Sequence, residues 1–340
     1  MKAAVFRKPQ GLVVEELKAP EPGDDGILVQ VSNSGFCGSD HSLIASGILP
    51  EGCIVGHETS GIVQELGKEV DGPEPGTRVV IRPTFCGACR DCLMGKPYFC
   101  QNDRHSIGIG DLPGGFAEYI KVFPQMLIPV PEGVDSQNAA LAEAFATALH
   151  AIKCSRREGG SALVIGGGPI GLSVIKLLKT LGFGPVVLFE PVKAKRDLGL
   201  DFGADKAVDP FLDALQLHVL DWTEGVGFEA VFECSGASDA VQTAIDSVAR
   251  GGTVCIVSVI FTDIQIKPLN MTFKEVWMTA SYSNTHEENM QILKWMAEGK
   301  LDGRPLITDL ISLDQLPRVY RERIETGQAI KVMLKIGEEF

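Results

Sequence analysis

The sequence has no long apolar stretch. No uninterrupted hydrophobic run reaches the ~18 residues a membrane-spanning helix needs, so no membrane partner is expected. The opening MKAAVFRKPQGLVVEE lacks an apolar core followed by a cleavage site; no secretory leader is expected, and the cytoplasm is the default location. Basic charge is also short. Lys and Arg number 31 against 44 Asp and Glu, a net charge of −13, whereas a nucleic-acid binder needs clustered cations to neutralise phosphate; nucleic acid is excluded as an expected partner. Internal repeats and low-complexity tracts are missing. Three Trp, four Tyr and 16 Phe supply apolar material without marking a substrate pocket. What remains is ordinary globular composition, 45% hydrophobic and 22% charged, over 340 residues, enough for two domains with separate cores.

Cysteine is plentiful, and four of the nine fall in FCGACRDCLMGKPYFC at 85–100. In a reducing compartment clustered thiols read as metal ligands, not disulfides. The spacing C-x2-C-x2-C-x7-C turns Cys86, Cys89 and Cys92 inward on a tight loop and brings the chain back for Cys100, which suits tetrahedral thiolate coordination. Four thiolates leave no open position, so this is expected to be a structural zinc site. An iron–sulfur cluster is the chemical rival, and a chance cluster in a reduced loop is the bland alternative.

A second set is open-ended. Cys37 in SGFCGSDHS and His57 in IVGHETSGIV are twenty residues apart, Glu58 follows directly, and Glu143 begins an apolar helical stretch in LAEAFATALHA. One Cys, one His and one carboxylate with a fourth position free is a catalytic zinc pattern. Ser39, two residues beyond Cys37, is a candidate to touch both a substrate oxygen and a proton path, although in GSD it also reads as a turn residue.

The run SALVIGGGPIGLSVIKLLKTLGFGPVVLFEP at 161–191 predicts strand, loop, helix and strand. Its loop holds Gly166, Gly168 and Gly171 as G-x-G-x-x-G, with Pro169 and Ile170 between the last two. Inside such a unit the motif marks dinucleotide binding: tight turn, close approach to pyrophosphate, helix packed on strand. The helix N-terminus then presents N–H groups to phosphate. Glu190, nineteen residues after Gly171, ends the second strand, where a carboxylate accepts hydrogen bonds from ribose hydroxyls and repels a 2′-phosphate. NAD is therefore favoured, while Lys193, Lys195 and Arg196 keep NADP in play. FEAVFECSG and GGTVCIVSV predict two further strands alternating with helices such as DAVQTAIDSVAR, as in a parallel doubly wound sheet. ECSG and SVIF at their carboxyl ends are candidate cofactor walls.

The Gly/Pro-rich first part, with ILVQVSNSG, GIVQELG and TRVVIRP as short strands, predicts an all-β barrel-like domain. THEENMQILKWMAEGKLD reads as helix, and KVMLKIGE as a last strand returning to the first domain. The expected division is 1–148 with 285–340 as one domain and 149–284 as the other.

Together CGSD, GHETSG, GTRVV, the four-cysteine loop, PGGFAEY, GGGPIG and Glu190 resemble the zinc-dependent medium-chain dehydrogenase/reductase family, which includes alcohol, sorbitol and threonine dehydrogenases. The resemblance covers essentially the whole chain. It implies a GroES-like β-barrel catalytic domain, a Rossmann doubly wound parallel sheet, and an active site in the cleft between them. It also implies Cys37, His57 and Glu143 as catalytic zinc ligands, Glu58 as an alternative or exchanging ligand, Cys86, Cys89, Cys92 and Cys100 around a structural zinc, and Ser39 as the proton-relay hydroxyl. Many relatives carry a relay His five residues after the first zinc cysteine; here that position is Ser42 and a His stands one earlier, at His41. The outward path is open among His41, Ser42 and the ribose hydroxyls leading to water. The implied reaction is hydride transfer between an alcohol, secondary or polyol before primary, and NAD or NADP, with two zinc ions per chain. A homodimer or homotetramer is implied as well. The rival class is a nucleotide-binding relative without catalysis, against which the intact Cys37, His57 and Glu143 set argues. Arg82, just before the cysteine loop, marks an anionic or polyhydroxylated substrate if it reaches the site, and a surface strand end if it does not.

Overall fold

The structure is a computed structural model that describes residues 1–211, 215–260 and 262–340, the side chain of residue 217 excepted. Two compact units form, one from Met1–Glu143 with Asn289–Phe340 and one from Ala144–Glu288. The junctions fall at 143/144 and 288/289, a few residues from those read in the sequence. Both lie inside continuous helices, Ser136–Cys154 and His286–Ala297, where neither Gly nor Pro marks a boundary.

Met1–Glu143 supplies seven strands, β1 (Lys2–Arg7), β2 (Gly11–Glu16), β3 (Ile27–Gly35), β4 (Glu58–Leu66), β5 (Arg78–Ile81), β6 (Tyr119–Val122) and β7 (Leu127–Pro129). Ala144–Glu288 supplies β8 (Ala162–Ile165), β9 (Val186–Phe189), β10 (Lys206–Val208), β11 (Phe228–Glu233), β12 (Val248–Ile256) and β13 (Trp277–Ala280). The returning segment adds β14 (Ile307–Ser312) and β15 (Lys331–Lys335).

In the first unit β1 and β2 form a hairpin, and a larger sheet runs β14-β15-β3-β4-β5-β7 with β6 also on β3. Its strands alternate inward Ile27, Val29 and Val31 with Val63, Val79, Ile81 and Ile120, the period-two pattern of a sheet with one buried face. The final strand does return: β15 pairs antiparallel with β3, Met333 opposite Gly35. The all-β expectation for this region misses its helical segments, the short Arg90–Leu93 among them. Gly38–Ser46 is a helix, begun by Cys37 in extended conformation and closed by Gly47 at φ 66°. Its ordinary propensity is overruled by packing of Ile44 into the core.

The second unit is a six-stranded sheet in the order β10-β9-β8-β11-β12-β13, all pairs parallel. Order therefore reverses between β8 and β11, the place where open α/β sheets take ligands. Val-, Ile- and Leu-rich strands are buried on both faces, as a helix-covered parallel sheet requires. The helix predicted over DAVQTAIDSVAR stops earlier, at Ser247. Val248 already pairs with Phe228, and the register then breaks before Thr253 meets Ala230, with Gly251 at φ 67° in the bulge. Strands β10 and β13 at the sheet edges carry no strong sequence signal and were not expected.

Candidate active site

The four-cysteine loop closes on itself. Sγ atoms of Cys86, Cys89, Cys92 and Cys100 all lie within 4.8 Å of one another. Cys89 is 3.4 Å and Cys86 3.9 Å from Cys92. Zn–S bonds of ~2.3 Å at tetrahedral angles put sulfurs about 3.8 Å apart, whereas a disulfide needs ~2.05 Å. The donor set thus fits a zinc ion. Gly87 and Gly95, at φ 69° and 73°, supply the turns. Burial opposes ionisation of Cys100, yet N–H groups of Cys86, Asp103 and Asn102 lower its thiol to about 6. Burial and Cys89 push Cys92 to about 12. Adjacent thiolates without a cation cannot all ionise, and a divalent ion removes that conflict.

Ligating atoms of Cys37, His57 and Glu58 also gather within 4.8 Å. Cys37 caps the helix Gly38–Ser46, so its sulfur sits at the positive end of the helix. His57 and Glu58 arrive at the start of β4. Asp40, fully buried, ties the two segments together. One of its oxygens accepts the Cys37 N–H at 3.0 Å; the other lies 3.2 Å from His57 Nδ1 and 3.4 Å from the Gly56 N–H. With Nδ1 engaged, Nε2 is the ring nitrogen left for a metal, the usual arrangement around a ligating histidine. Burial disfavours a charged imidazole here. Asp40 and Cys37 nonetheless lift His57 well above its ordinary value, so the pocket attracts positive charge. These residues fit a metal site.

Glu58 is itself neutralised. Lys331 Nζ lies 2.7 Å from each of its oxygens and 3.2 Å from the Phe36 carbonyl. A Cβ at Gly35 would collide with the Glu58 carboxylate, so this position requires glycine. Burial alone would lower the Lys331 ammonium; Glu58, Cys37 and, last, Glu143 hold it above its ordinary value. Glu143 is half-buried on the helix Ser136–Cys154, within electrostatic reach of Lys331, but is outside the 4.8 Å group.

Ser39 is half-buried in the first turn of the cysteine-capped helix. His41 stands two residues on, about 200° around the helix, so the two do not face each other. Its Nδ1 is 3.1 Å from the Tyr320 hydroxyl instead. Ser42 Oγ donates to the Gly38 carbonyl at 3.1 Å. Arg82 donates to the Pro83 carbonyl at 2.7 Å and the Gln125 carbonyl at 3.4 Å, and stacks on Phe85.

In the second unit the glycines do three different jobs. Gly166 has φ 104°, and a Cβ there would meet Ser235 at 2.9 Å. A Cβ on Gly168 would meet nothing, which leaves the backbone before the helix approachable. One on Gly171 would strike the Gly166 carbonyl, so the helix packs against its own strand only without a side chain. Pro169 and Ile170 open the helix Pro169–Thr180, with proline at its first position. Glu190 is buried just beyond β9. Its two oxygens accept the Gly167 N–H at 2.7 Å and the Val192 N–H at 2.9 Å, so it braces the glycine loop. Arg196 is held by the Glu190 and Pro191 carbonyls, and exposed Lys193 by Asp197 at 2.7 Å. Cys234, Ser235 and Gly236 follow β11, and Ser258 and Val259 follow β12 at the same end of the sheet; Phe261, the last residue of SVIF, lies outside the described residues.

Two residues with clear roles escape the sequence reading. Asp40 stands in the quoted CGSD, and its signal is an acid three residues after the helix cap. Lys331 has no local signal, because a lysine opening a strand is ordinary until Glu58 is found opposite it.

A β-sheet unit with an oriented Cys/His/carboxylate cluster and a doubly wound unit with a glycine cradle define a dehydrogenase architecture, and comparison with known proteins agrees. Residues 23–132 match the family described as alcohol dehydrogenase GroES-like domain, and residues 169–298 the family described as zinc-binding dehydrogenase. The chain is 30% identical over 344 residues to L-threonine 3-dehydrogenase of Rhizobium etli, spanning 98% of each chain. It is 29% identical over 348 residues to sorbitol dehydrogenase of Bacillus subtilis, spanning 98% of this chain and 97% of that one. A Sinorhizobium meliloti 1021 protein solved with NADP superposes at a TM-score of 0.89 with 30% identity over 98% of both chains. The chain belongs to the zinc-binding medium-chain dehydrogenase/reductase family. Its activity is accordingly that of an alcohol-type, nicotinamide-linked oxidoreductase.

Proposed function

We propose that the protein is a zinc-dependent dehydrogenase of secondary alcohols or polyols that prefers NAD to NADP and carries two zinc ions per chain. The observation that carries this reading is the Cys37–His57–Glu58 cluster with His57 oriented by Asp40. Cys37, His57 and a carboxylate would hold the catalytic zinc. Glu58 is in reach but already neutralised by Lys331, which suits an exchanging ligand, and Glu143 suits the resting one. Cys86, Cys89, Cys92 and Cys100 would hold the structural zinc.

When bound, the catalytic zinc supplies Lewis acidity to an alcohol oxygen, and nicotinamide supplies the hydride acceptor. The chain does the rest. Asp40 fixes the imidazole. Ser39 accepts the alcohol proton at its hydroxyl. With His41 turned to Tyr320 and Ser42 bonded to Gly38, the path beyond Ser39 runs to the ribose hydroxyls and water. Glu190 places negative charge beside the glycine loop, against a 2′-phosphate, while Lys193 is paired with Asp197; this favours NAD. The secondary-alcohol and polyol reading is supported by the threonine and sorbitol dehydrogenases to which the chain is similar.

Assembly as a homodimer or homotetramer is part of the same reading. Strand β13 is a sheet edge with Trp277 exposed, and Leu269 and Phe273 are exposed on the preceding helix Pro268–Lys274; unpaired edges and apolar surface favour association. Nine free thiols suit the cytoplasm. The test is a panel of secondary alcohols, polyols and amino alcohols with NAD and with NADP, followed by absorbance of the reduced cofactor. Turnover of at least one secondary alcohol, faster with NAD, is expected; turnover of primary alcohols alone contradicts the substrate class.

A further inference from the structure

Glu233 is a fully buried carboxylate at the end of β11. Among the described residues no cation pairs with it. Its charge is met by donors alone, an arrangement that persists only when each is held in place. One oxygen accepts the Ser235 N–H at 2.7 Å, the Ser235 hydroxyl at 2.7 Å and the Gly236 N–H at 2.8 Å. The other binds the Ser258 hydroxyl. The Glu233 carbonyl accepts the Val257 N–H at 2.8 Å and the Ser258 N–H at 3.1 Å. Ser235 in turn packs on Gly166, where a Cβ would meet it at 2.9 Å. A single side chain therefore sets three segments against one another: the glycine loop after β8, the turn after β11 and the turn after β12.

All three lie at the carboxyl ends of strands; β8 borders the switch, and β11 and β12 lie across it from β9 and β10. In a doubly wound sheet the two halves take the two nucleotides. The glycine loop faces the pyrophosphate and Glu190 the adenosine side, which leaves β11 and β12 for the nicotinamide half. We infer that Glu233 is a positioning residue for the nicotinamide mononucleotide half of the cofactor, acting through the backbone of the Ser235–Gly236 turn and through Ser258. The inference rests on the second unit being the dinucleotide-binding one.

Glutamine at 233 can reproduce the pattern, its oxygen accepting from the Ser235–Gly236 turn and its amide donating to the Ser258 hydroxyl. Alanine cannot. Affinities for NADH, by fluorescence, and for ADP-ribose, by calorimetry, separate the two halves without any turnover. Glu233→Ala is expected to weaken NADH on the order of tenfold or more, the scale of a lost charged hydrogen-bond set, and ADP-ribose by less than about twofold. Glu233→Gln restores most of the NADH affinity. Ser258→Ala, a milder change that keeps the carboxylate, weakens NADH in the same selective way and serves if Glu233→Ala does not fold. Equal weakening of NADH and ADP-ribose in the folded variants, or no change in either, overturns the inference. A wild-type chain that binds neither ligand overturns the dinucleotide reading beneath it, and the inference with it.

Discussion

Lys331 Nζ lies 2.7 Å from both carboxylate oxygens of Glu58, and each side chain is only 1% exposed. The pair joins β15, from the end of the chain, to β4, and it sets the charge next to Cys37 and His57. Removing one partner from such a buried pair typically costs ~3–5 kcal/mol, because the other charge is left stranded. Lys331→Met is expected to lose stability on that scale in urea unfolding. The double variant Glu58→Gln/Lys331→Met should recover most of the loss, as coupled neighbours do. A single-variant loss below about 1 kcal/mol, the scale of an exposed pair, contradicts the pairing.

Ser39 and His41 share a helix but not a face, so their variants should part. Ser39→Ala should slow alcohol oxidation by ~10²–10⁴-fold, the range of general acid–base steps, with NADH affinity near normal. His41→Ala should leave the rate close to that of the parent, its effect confined to the contact with Tyr320. Steady-state rates under saturating cofactor decide the matter. A Ser39→Ala enzyme at full rate would refute the relay while leaving the metal and hydride assignments standing.

In the proposed reading, cofactor choice turns on Glu190. Glu190→Ser removes the negative charge beside the glycine loop, and the ratio of kcat/KM for NAD over NADP should narrow. Some loss with both cofactors is expected as well, because the Gly167 and Val192 N–H groups lose their acceptor. Equal use of NAD and NADP by the unmodified protein shows instead that the basic residues at 193–196 serve the 2′-phosphate.

A pH effect on stability should come from His150. Burial disfavours its charge, yet Cys154 and Glu288 raise the imidazole to about 9, with Glu288 carboxylate oxygens at 3.0 and 3.1 Å. Lys153 also faces Glu288, at 3.2 Å. A folded pKa above the unfolded value of 6.5 means stabilisation that is complete below about 6.5 and is lost as pH rises through about 9. Glu288 is shifted down despite its burial, so its contribution is present above its ordinary value of 4.5 and fades as pH falls. Thermal melting should therefore fall between about pH 6.5 and 9, and His150→Gln should flatten that fall. An unchanged profile in the variant removes His150 from the account.

The doubly wound unit was legible because its signals are local. The glycine spacing, the short apolar runs and the acid at Glu190 each lie within one strand–loop–helix stretch. The four cysteines were legible for the same reason. The Cys37–His57–Glu58 cluster is different: its members are named by residue type, but their meeting depends on β3 and β4 pairing across a long loop. What holds them was hidden further. Lys331 comes from the other end of the chain, and a buried lysine is indistinguishable from a surface one until its partner is placed. The turn of His41 away from Ser39 also required a helix that composition did not announce. The end of the helix Ala240–Ser247 was missed because the bulge in β12 is a tertiary pairing, not a local preference.

The proposed activity depends on metal bound at Cys37 and His57. The direct measurement is zinc content per chain by elemental analysis, taken alongside alcohol-dependent reduction of NAD, for the parent protein, Cys37→Ser and Cys86→Ser. Two zinc ions are expected in the parent and one in each variant. Cys37→Ser should be folded, able to bind NADH and inactive; Cys86→Ser should lose stability. A Cys37→Ser protein that keeps both its zinc content and its rate contradicts the central claim.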